Sequence, residues 1–446
     1  MNYTAKESKD LSEFPSVTIQ LPIFNEKEVF PRLLNSVCSL EWPIDKMEIQ
    51  VLDDSTDETS ELVDKLTKDY ISRGFIIEVI RRNSRKAFKA GALQNALKFA
   101  RGEYLAVFDA DNIPSPDYLR KTIPHFQDNP ILGYVQTRLG HLNRGFNHIT
   151  EAIAIALDTH FVVEQPARST LTLVPNFNGS AGIIRKEALL DLGGWGYDTL
   201  TEDMDLTYRM RMKGWDQLYL RDVTVEGEVP ISLHAFKKQQ ERWAIGGTQT
   251  TKKLLKKIWK AGNLSLPQKM ESTLHLSNYF IFPAMLLSFF ALLGLVLIGV
   301  DPAPLFYTVW GAASTIGGMG VSLMYYSAVK NQGLSLKKKI PFMGLLGALG
   351  VGLSAHFSLA VLRGLFTKDI TFNTTPKHNI NNGKSEDEKS DIEKEQQPFP
   401  ALEAILTILS ILGIASSTVH RLYIAIPTFL VQFICYFTAV YYQIKS

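Results

Sequence analysis

The 446-residue chain has almost no cysteine. Cys38 and Cys435 stand alone, which excludes a disulfide framework and any thiolate metal cluster. Both lie among apolar residues and read as buried thiols. Net charge is nearly absent as well: 47 Lys and Arg against 45 Asp and Glu leave +2. So even a balance gives no electrostatic footprint for nucleic acid. Met1 to Glu13 lacks an apolar core, so no signal peptide is read and the N-terminal half is expected in the cytosol. The most telling lack is local. Residues 272–300 and 302–329 contain no Lys, Arg, Asp or Glu, and each exceeds the roughly 20 residues that a spanning helix needs. Residues 340–362 are also uncharged, but Gly-rich and flanked by Lys337, Lys338, Lys339 and Arg363. Residues 404–420 are short for a span and 422–444 are ample. The reading is four spans, near 275–299, 305–328, 402–419 and 422–443, plus an interfacial helix near 340–363. That topology puts the Lys337–Lys339 cluster, Arg363, Lys368 and Lys377 on the cytosolic side of a cell (plasma or inner) membrane.

Ahead of this membrane domain (residues 271–446) and a short polar tail (1–14), residues 15–232 alternate between apolar runs and helical stretches. Val17 to Leu21, Met47 to Leu52, Phe75 to Ile80 and Tyr104 to Phe108 read as strands, with Glu61 to Ser72 and Ala90 to Ala100 as helices between them. That rhythm predicts an α/β domain whose mostly parallel sheet is covered on both faces. Ligands of such sheets bind beyond the carboxyl ends of the strands. Residues 233–270 read as amphipathic interfacial helices. Residues 379–399 are too polar and too charged to bury a core, and are expected to be disordered.

Two acidic motifs fall at predicted strand ends. Asp53-Asp54 follows the second strand, where carboxylates can accept from a nucleobase N–H or ribose hydroxyls. The neighbouring Ser55 and Glu58 have capping-box spacing and need no ligand. Asp109-Ala110-Asp111 follows the fourth strand. Residues two apart at a strand end share a side, and two hard oxygens suit Mg2+ or Mn2+ shared with phosphate. Such a cation offsets charge on a diphosphate leaving group. Lys89 enters a helix, where a point charge joins the positive dipole end to make an anion site.

Thr201-Glu202-Asp203 opens a further helix. Thr199 and Glu202 have capping-box spacing, which accounts for Glu202 better than for Asp203. Asp203 is the candidate general base for an acceptor hydroxyl. Glu202 and Asp205 are expected to raise its pKa by like-charge repulsion. His234 to Trp259 forms a basic amphipathic helix, and Lys252, Lys253, Lys256, Lys257 and Lys260 suit an anionic membrane surface. That reading leaves Gln239-Gln240-x-Arg242-Trp243 without a purpose. An Arg forks onto phosphate oxygens there, and a Trp face stacks on a sugar ring.

In order, seven phrases carry a resemblance: Val51-Leu52-Asp53-Asp54-Ser55-Thr56-Asp57, Lys89-Ala90-Gly91-Ala92-Leu93, Phe108-Asp109-Ala110-Asp111, Phe177-Asn178-Gly179-Ser180-Ala181-Gly182, Gly193-Gly194-Trp195, Thr201-Glu202-Asp203-Met204-Asp205-Leu206 and Gln239-Gln240-x-Arg242-Trp243. Together they resemble a family 2 glycosyltransferase of the cellulose synthase-like group, most like its glucomannan (mannan) synthase-like branch. The resemblance is dense over about residues 15–260 and looser beyond. It implies a GT-A fold, inverting transfer, a nucleotide-diphosphate sugar of the UDP-glucose or GDP-mannose type, and a divalent cation.

The resemblance also implies roles. Asp53 and Asp54 would hold the nucleotide, Lys89 and Asp109 the diphosphate, and Asp109 with Asp111 the metal. Asp203 would be the base, beside Glu202. Gln239 and Arg242 would bind the donor, while Trp243, Phe177, Asn178 and Gly179 would border the acceptor. Phe372, Thr375 and Lys377 match the family's Phe-x-Val-Thr-x-Lys gating loop near 368–378, with Thr374 replacing Val. In that family the loop closes over bound nucleotide.

Three departures stand out: Ala87 where many relatives have Gly, an acidic insertion at 384–395, and no spanning helix ahead of the catalytic segment. The last leaves few helices for a polymer channel unless protomers or accessory membrane subunits assemble, or the sequence as given starts too late. Expected partners are the nucleotide sugar, a glycan or lipid acceptor, and membrane lipids, but not nucleic acid. A growing polysaccharide is the leading product, and a singly glycosylated lipid the alternative. A non-catalytic subunit that kept the fold would first lose Asp111, Asp203 or Trp243, and all three are present.

Overall fold

Seven apolar runs pair into one sheet: β1 (Val17–Ile23), β2 (Met47–Asp53), β3 (Ile76–Ile80), β4 (Tyr104–Val107), β5 (Leu132–His141), β6 (Gly182–Arg185) and β7 (Asp216–Gly227). The computed structural model describes residues 13–301, 304–367, 377–380 and 399–445. Phe372 and Thr375 lie outside the described residues, as do most of the N-terminal tail and most of the stretch expected to be disordered. The strand order is β3-β2-β1-β4-β6-β5-β7. Only β6 runs antiparallel to its neighbours β4 and β5.

β2, β4 and β6 are buried along their whole length and β1 at all but Pro22, as a sheet covered on both faces requires. Ile19, Leu21, Ile49, Val51 and Ala106 enter one core. Leu52, Leu105 and Val107 enter the other. Polar residues within these strands pair across the register instead of facing apolar atoms. The Thr18 hydroxyl donates to Glu48 at 2.7 Å, and the Gln20 amide donates to Gln50 at 3.0 Å. Such pairing offsets part of the cost of burying these groups, although Gln20 Oε1 and Gln50 Nε2 find no partner among the described residues.

The chain leaves β1 toward β2 and β3 on one side, while β4 lies on the other. That reversal creates a crevice beyond the carboxyl ends of β1 and β4, the place where open α/β sheets bind ligands. After β4 the chain turns, and Ile113 bridges to Glu226 near the end of β7. The bridge carries Gly227 and Glu228 against Asp111. This is the GT-A-type arrangement, a mixed, mostly parallel sheet followed by a helical membrane part.

The long helix Leu233–Lys260 starts at Ser232, whose hydroxyl accepts the Ala235 N–H at 3.1 Å. Leu266–Leu276 follows with a full capping box from Ser265 and Gln268. Among the described residues three helices are then long and apolar enough to cross a membrane: Asn278–Leu297, Ala401–Val419 and Tyr423–Lys445. Pro304–Asn331 has the length, at 28 residues. The segment expected as one interfacial helix is two, Leu336–Gly352 and Ser354–Phe366, bent by 52° and countable as a fourth span. At the bend a Cβ on Gly352 would come within 2.5 Å of the Cys435 carbonyl. The missing side chain lets the two backbones touch.

Candidate active site

One cavity of about 790 Å³ opens beyond β1, β2 and β4 and runs to the first turns of Glu202–Lys213 and Leu233–Lys260. At one end Asp54 lines it, held in a two-pronged grip by Arg82. Arg82 also donates to the carbonyls of Lys86 at 2.9 Å and Phe88 at 3.0 Å. These bonds pin a tight turn in which Ala87 and Phe88 have φ of 60° and 48°. Left-handed backbone costs an L-residue about 1–2 kcal/mol, a cost that a Gly in place of Ala87 would not carry. Ala87→Gly is accordingly expected to be neutral or stabilising by up to about 1 kcal/mol, although Ala→Gly in relaxed backbone costs about that much. Denaturant unfolding of the purified variant checks this.

The turn delivers Lys89 into the cavity, where its ammonium pairs with Asp109. Asp111, two residues on, is buried. Its Oδ2 accepts the Glu228 N–H at 2.6 Å and the Lys377 ammonium at 2.8 Å. Burial pushes the Asp111 carboxyl up, but Lys377 and the Glu228 N–H more than offset it and hold it below the usual carboxylate range. Both carboxylates line the cavity and both already attract a cation. Among the described residues no three His, Cys, Asp or Glu converge on a metal position. Asp109 and Asp111 therefore fit a hard divalent ion that completes its shell from phosphate oxygens and water.

Asp203 stands across from this pair, in the first turn of Glu202–Lys213. Its Oδ1 accepts the Met204 N–H at 2.8 Å. Gly179, at φ 81°, approaches so closely that a Cβ there would lie 3.3 Å from Asp203 Oδ2 and 3.7 Å from Lys89 Nζ. Burial, then the charge of Glu202, push the Asp203 carboxyl up to about 7. Burial raises Glu202 as well, against the pull of Lys89. Asp205, expected to act with Glu202, is not among the main causes; it is paired instead with Arg209 at 2.6 Å and Lys253 at 2.7 Å.

Arg242 enters from the long helix. Burial lowers its pKa, while Glu202, Asp109 and Asp203 pull it back up. Its position depends on a close helix crossing: a Cβ on Gly246 would come within 2.7 Å of Thr201. Thr201 and Thr250 share a hydroxyl bond of 3.0 Å, and Gln249 accepts the Leu200 N–H at 3.1 Å. Gln239 and Trp243 line the cavity beside Arg242. Further along, Asn178 donates its amide to His160 at 2.9 Å and accepts from Gln165 at 2.8 Å. His160 sits on a π-helical turn, Thr159–Glu164, a distortion common next to functional sites.

A glycosyl transferase family 2 model matches residues 18–193, and a cellulose synthase model matches residues 185–428. The chain belongs to the cellulose synthase family. Probable glucomannan 4-beta-mannosyltransferase 7 of Oryza sativa subsp. japonica is 39% identical over 269 residues, covering 59% of this chain and 46% of that protein. Glucomannan 4-beta-mannosyltransferase 2 of Arabidopsis thaliana is 41% identical over 251 residues, covering 55% and 47%. The chain spans about half the length of the curated relatives it matches. A mannosyltransferase from Pyrobaculum calidifontis, solved in complex with GDP-Man and Mn2+, superposes with a TM-score of 0.54 at 22% identity. That alignment covers 81% of this chain and 91% of the other, and shows a shared fold.

Within this cellulose synthase-family fold, two of the described site residues expected from the sequence do not line the cavity. Asp53 is buried beside it. Its carboxylate accepts the Ser55 N–H at 3.0 Å, the Ser60 hydroxyl at 2.9 Å and Arg81 Nε at 2.8 Å. Burial pushes that carboxyl up, and the hydrogen bonds outweigh it and hold it low. Phe177 is enclosed between Tyr134 and Trp195 in the second core, and acts by carrying Asn178 and Gly179 to the wall. The expected caps also differ. Glu58 and Thr201 stand at the caps of their helices without side-chain capping bonds. Lys252 stays exposed while donating to the Leu365 carbonyl at 2.9 Å, and half-buried Lys253 pairs with Asp198 and Asp205. Glu228, Arg32 and His160 had no local sequence signal, because tertiary pairing alone brings them to the site.

Proposed function

We propose that the chain is a membrane-bound, metal-dependent inverting glycosyltransferase that moves a hexose from a nucleotide-diphosphate sugar to a growing polysaccharide. The observation that carries this reading is the convergence of Asp203, Lys89, Asp109 and Arg242 on one cavity. Asp203 takes the proton of the acceptor hydroxyl, whose oxygen bonds to the anomeric carbon as the carbon–phosphate oxygen bond breaks on the opposite face. Lys89 and Arg242 hold positive charge beside the departing diphosphate. Trp243 offers a ring face to the acceptor sugar. Asp109 and Asp111 would hold Mg2+ or Mn2+, which supplies Lewis-acid stabilisation of the leaving group. The names of the plant relatives and the GDP-Man complex of the archaeal structure support mannose as the sugar and GDP-mannose as the donor.

The test is turnover of GDP-mannose and UDP-glucose by the purified chain with Mn2+, followed by linkage analysis. GDP-mannose is expected to be consumed and a β-linked mannan to accumulate. Chelation should stop turnover and Mn2+ should restore it. Asp111→Asn should lower it at least about 100-fold, given the several kcal/mol that a metal supplies to a leaving group. No consumption of either donor would overturn the reading. A single-addition enzyme acting on a lipid is favoured by one feature: Leu274 lines the cavity yet is 72% exposed, just ahead of the Asn278–Leu297 span. Product sizing separates a polymer from a one-sugar glycolipid.

A further inference from the structure

Residues 377–380 lie against the acidic end of the cavity and are fastened there by a ring of bonds. Arg32, on the helix Phe30–Cys38, spans two of the links. Its Nη1 donates to Asn379 Oδ1 at 2.8 Å, and its Nη2 to Glu228 Oε1 at 2.9 Å. The other Glu228 oxygen accepts the His378 N–H at 2.9 Å. The Glu228 backbone continues the ring, donating to Asp111 and accepting from Lys377 at 3.3 Å. Asn379 has φ 54°, a left-handed conformation that Asn tolerates better than most residues. Ile380, only 3% exposed, anchors the end of the segment. Neither Arg32 nor Asn379 lines the cavity. Arg32 reaches Asp111 itself only at the backbone carbonyl, at 3.5 Å, so on the carboxylate both act through Lys377, whose ammonium rests there.

That ammonium occupies the oxygen that a divalent cation would need. Two cations cannot share one buried carboxylate oxygen without strong repulsion. A diphosphate changes the balance, because its oxygens can receive the lysine and share the metal at once. We propose that Arg32 and Asn379 are positioning residues that seat Lys377 on Asp111, so that a divalent cation binds there weakly until a nucleoside diphosphate draws the lysine away. The inference rests on the metal-dependent reading above. By linkage, the cation must then tighten the diphosphate by the same factor that the diphosphate tightens the cation.

Mn2+ titration of the full chain in detergent, read by the paramagnetic resonance of free Mn2+ with and without GDP or UDP, tests this without turnover. In the unsubstituted chain a diphosphate should tighten Mn2+ by about tenfold or more, within the usual range of site coupling. Arg32→Gln and Asn379→Ala should each tighten Mn2+ alone by about threefold to tenfold, as expected for losing one or two charge-assisted hydrogen bonds, and should shrink the coupling to match. Asn379→Ala changes no charge and removes one part-buried contact; Asn379→Gly, which suits the left-handed φ of 54°, should tighten Mn2+ alike and so guards against backbone strain. Arg32→Lys keeps the charge but cannot span both partners, and should behave like Arg32→Gln. If Arg32→Lys instead matches the unsubstituted chain, or if Asn379→Ala and Arg32→Gln leave the coupling intact, the positioning role is wrong while the metal-dependent reading stands. If the unsubstituted chain binds no Mn2+ even with either diphosphate, that reading falls and the inference with it.

Discussion

Asp203→Asn should lower sugar transfer by about 10²- to 10⁴-fold, the usual contribution of a positioned general base, and should leave a folded protein. The environment of Asp203 makes the test sharp. Its carboxyl is pushed up to about 7 from an ordinary value of 3.8, by burial and then by Glu202. A base works deprotonated, so transfer by the unsubstituted chain should climb as pH rises through about 7, and the residual rate of the variant should not show that rise. The two carboxyls interact, so the limb belongs to the Glu202–Asp203 pair and not to one proton on one residue.

Stability should move in the opposite sense to activity. A carboxyl whose folded pKa is raised favours the folded state while both states are protonated, below about 4. It loses that advantage as pH climbs toward 7, because the unfolded chain ionises first. Asparagine mimics the neutral acid and has no such loss. Asp203→Asn should therefore unfold at the same temperature as the parent near pH 4 and at a higher one at pH 8. Full transfer activity in a well-folded variant would remove Asp203 from the base role. A variant that is inactive and also less stable at pH 8 would point to a structural role instead.

How much of this was legible beforehand depends on whether the signal is local. The strand-end position of Asp109 and Asp111 follows from an apolar run and a count of residues, and both reach the cavity. Consecutive residues at a strand end point to opposite sides, and a pair such as Asp53-Asp54 does not say which one faces the ligand. The answer came from Ser60 and Arg81, which gather Asp53 to the far side while Arg82 presents Asp54. Phe177 and Asn178 repeat the same ambiguity. The lysines after Trp243 looked uniform, but Lys253 serves Asp205 because Gly246 lets the two helices meet. Cap spacing misled at Ser55 and Glu58 for a related reason. The Ser55 N–H was already committed to Asp53, and Asp57 took the Thr59 N–H at 3.0 Å. The Glu228 and Arg32 contacts join residues 79 to 347 positions apart, and no periodicity reports those.

Arg242 gives the second large effect, and its two substitutions should separate charge from shape. The half-buried Arg242 stands beside Glu202, Asp109 and Asp203, which pull its pKa up against desolvation. Arg242→Ala leaves this acidic cluster with Lys89 as its remaining described cation among the groups that perturb it. Removing one member of a fully buried charge cluster costs about 3–5 kcal/mol; this cluster is half-buried, so the alanine variant should be destabilised by less than that, and inactive as well. Arg242→Lys keeps the positive charge near the same carboxylates but not the planar fork that grips a diphosphate from two nitrogens. Its thermal unfolding should stay close to that of the parent. Its donor turnover should nevertheless fall by at least about 100-fold, the cost of misplacing one electrostatic stabiliser of a leaving group. Thermal unfolding and donor kinetics on the three proteins decide the matter. A lysine variant as active as the parent would mean that charge alone suffices. A lysine variant as unstable as the alanine one would mean that Arg242 serves chiefly to hold the Glu202–Lys213 helix against Leu233–Lys260, and its place beside the diphosphate would have to be given up.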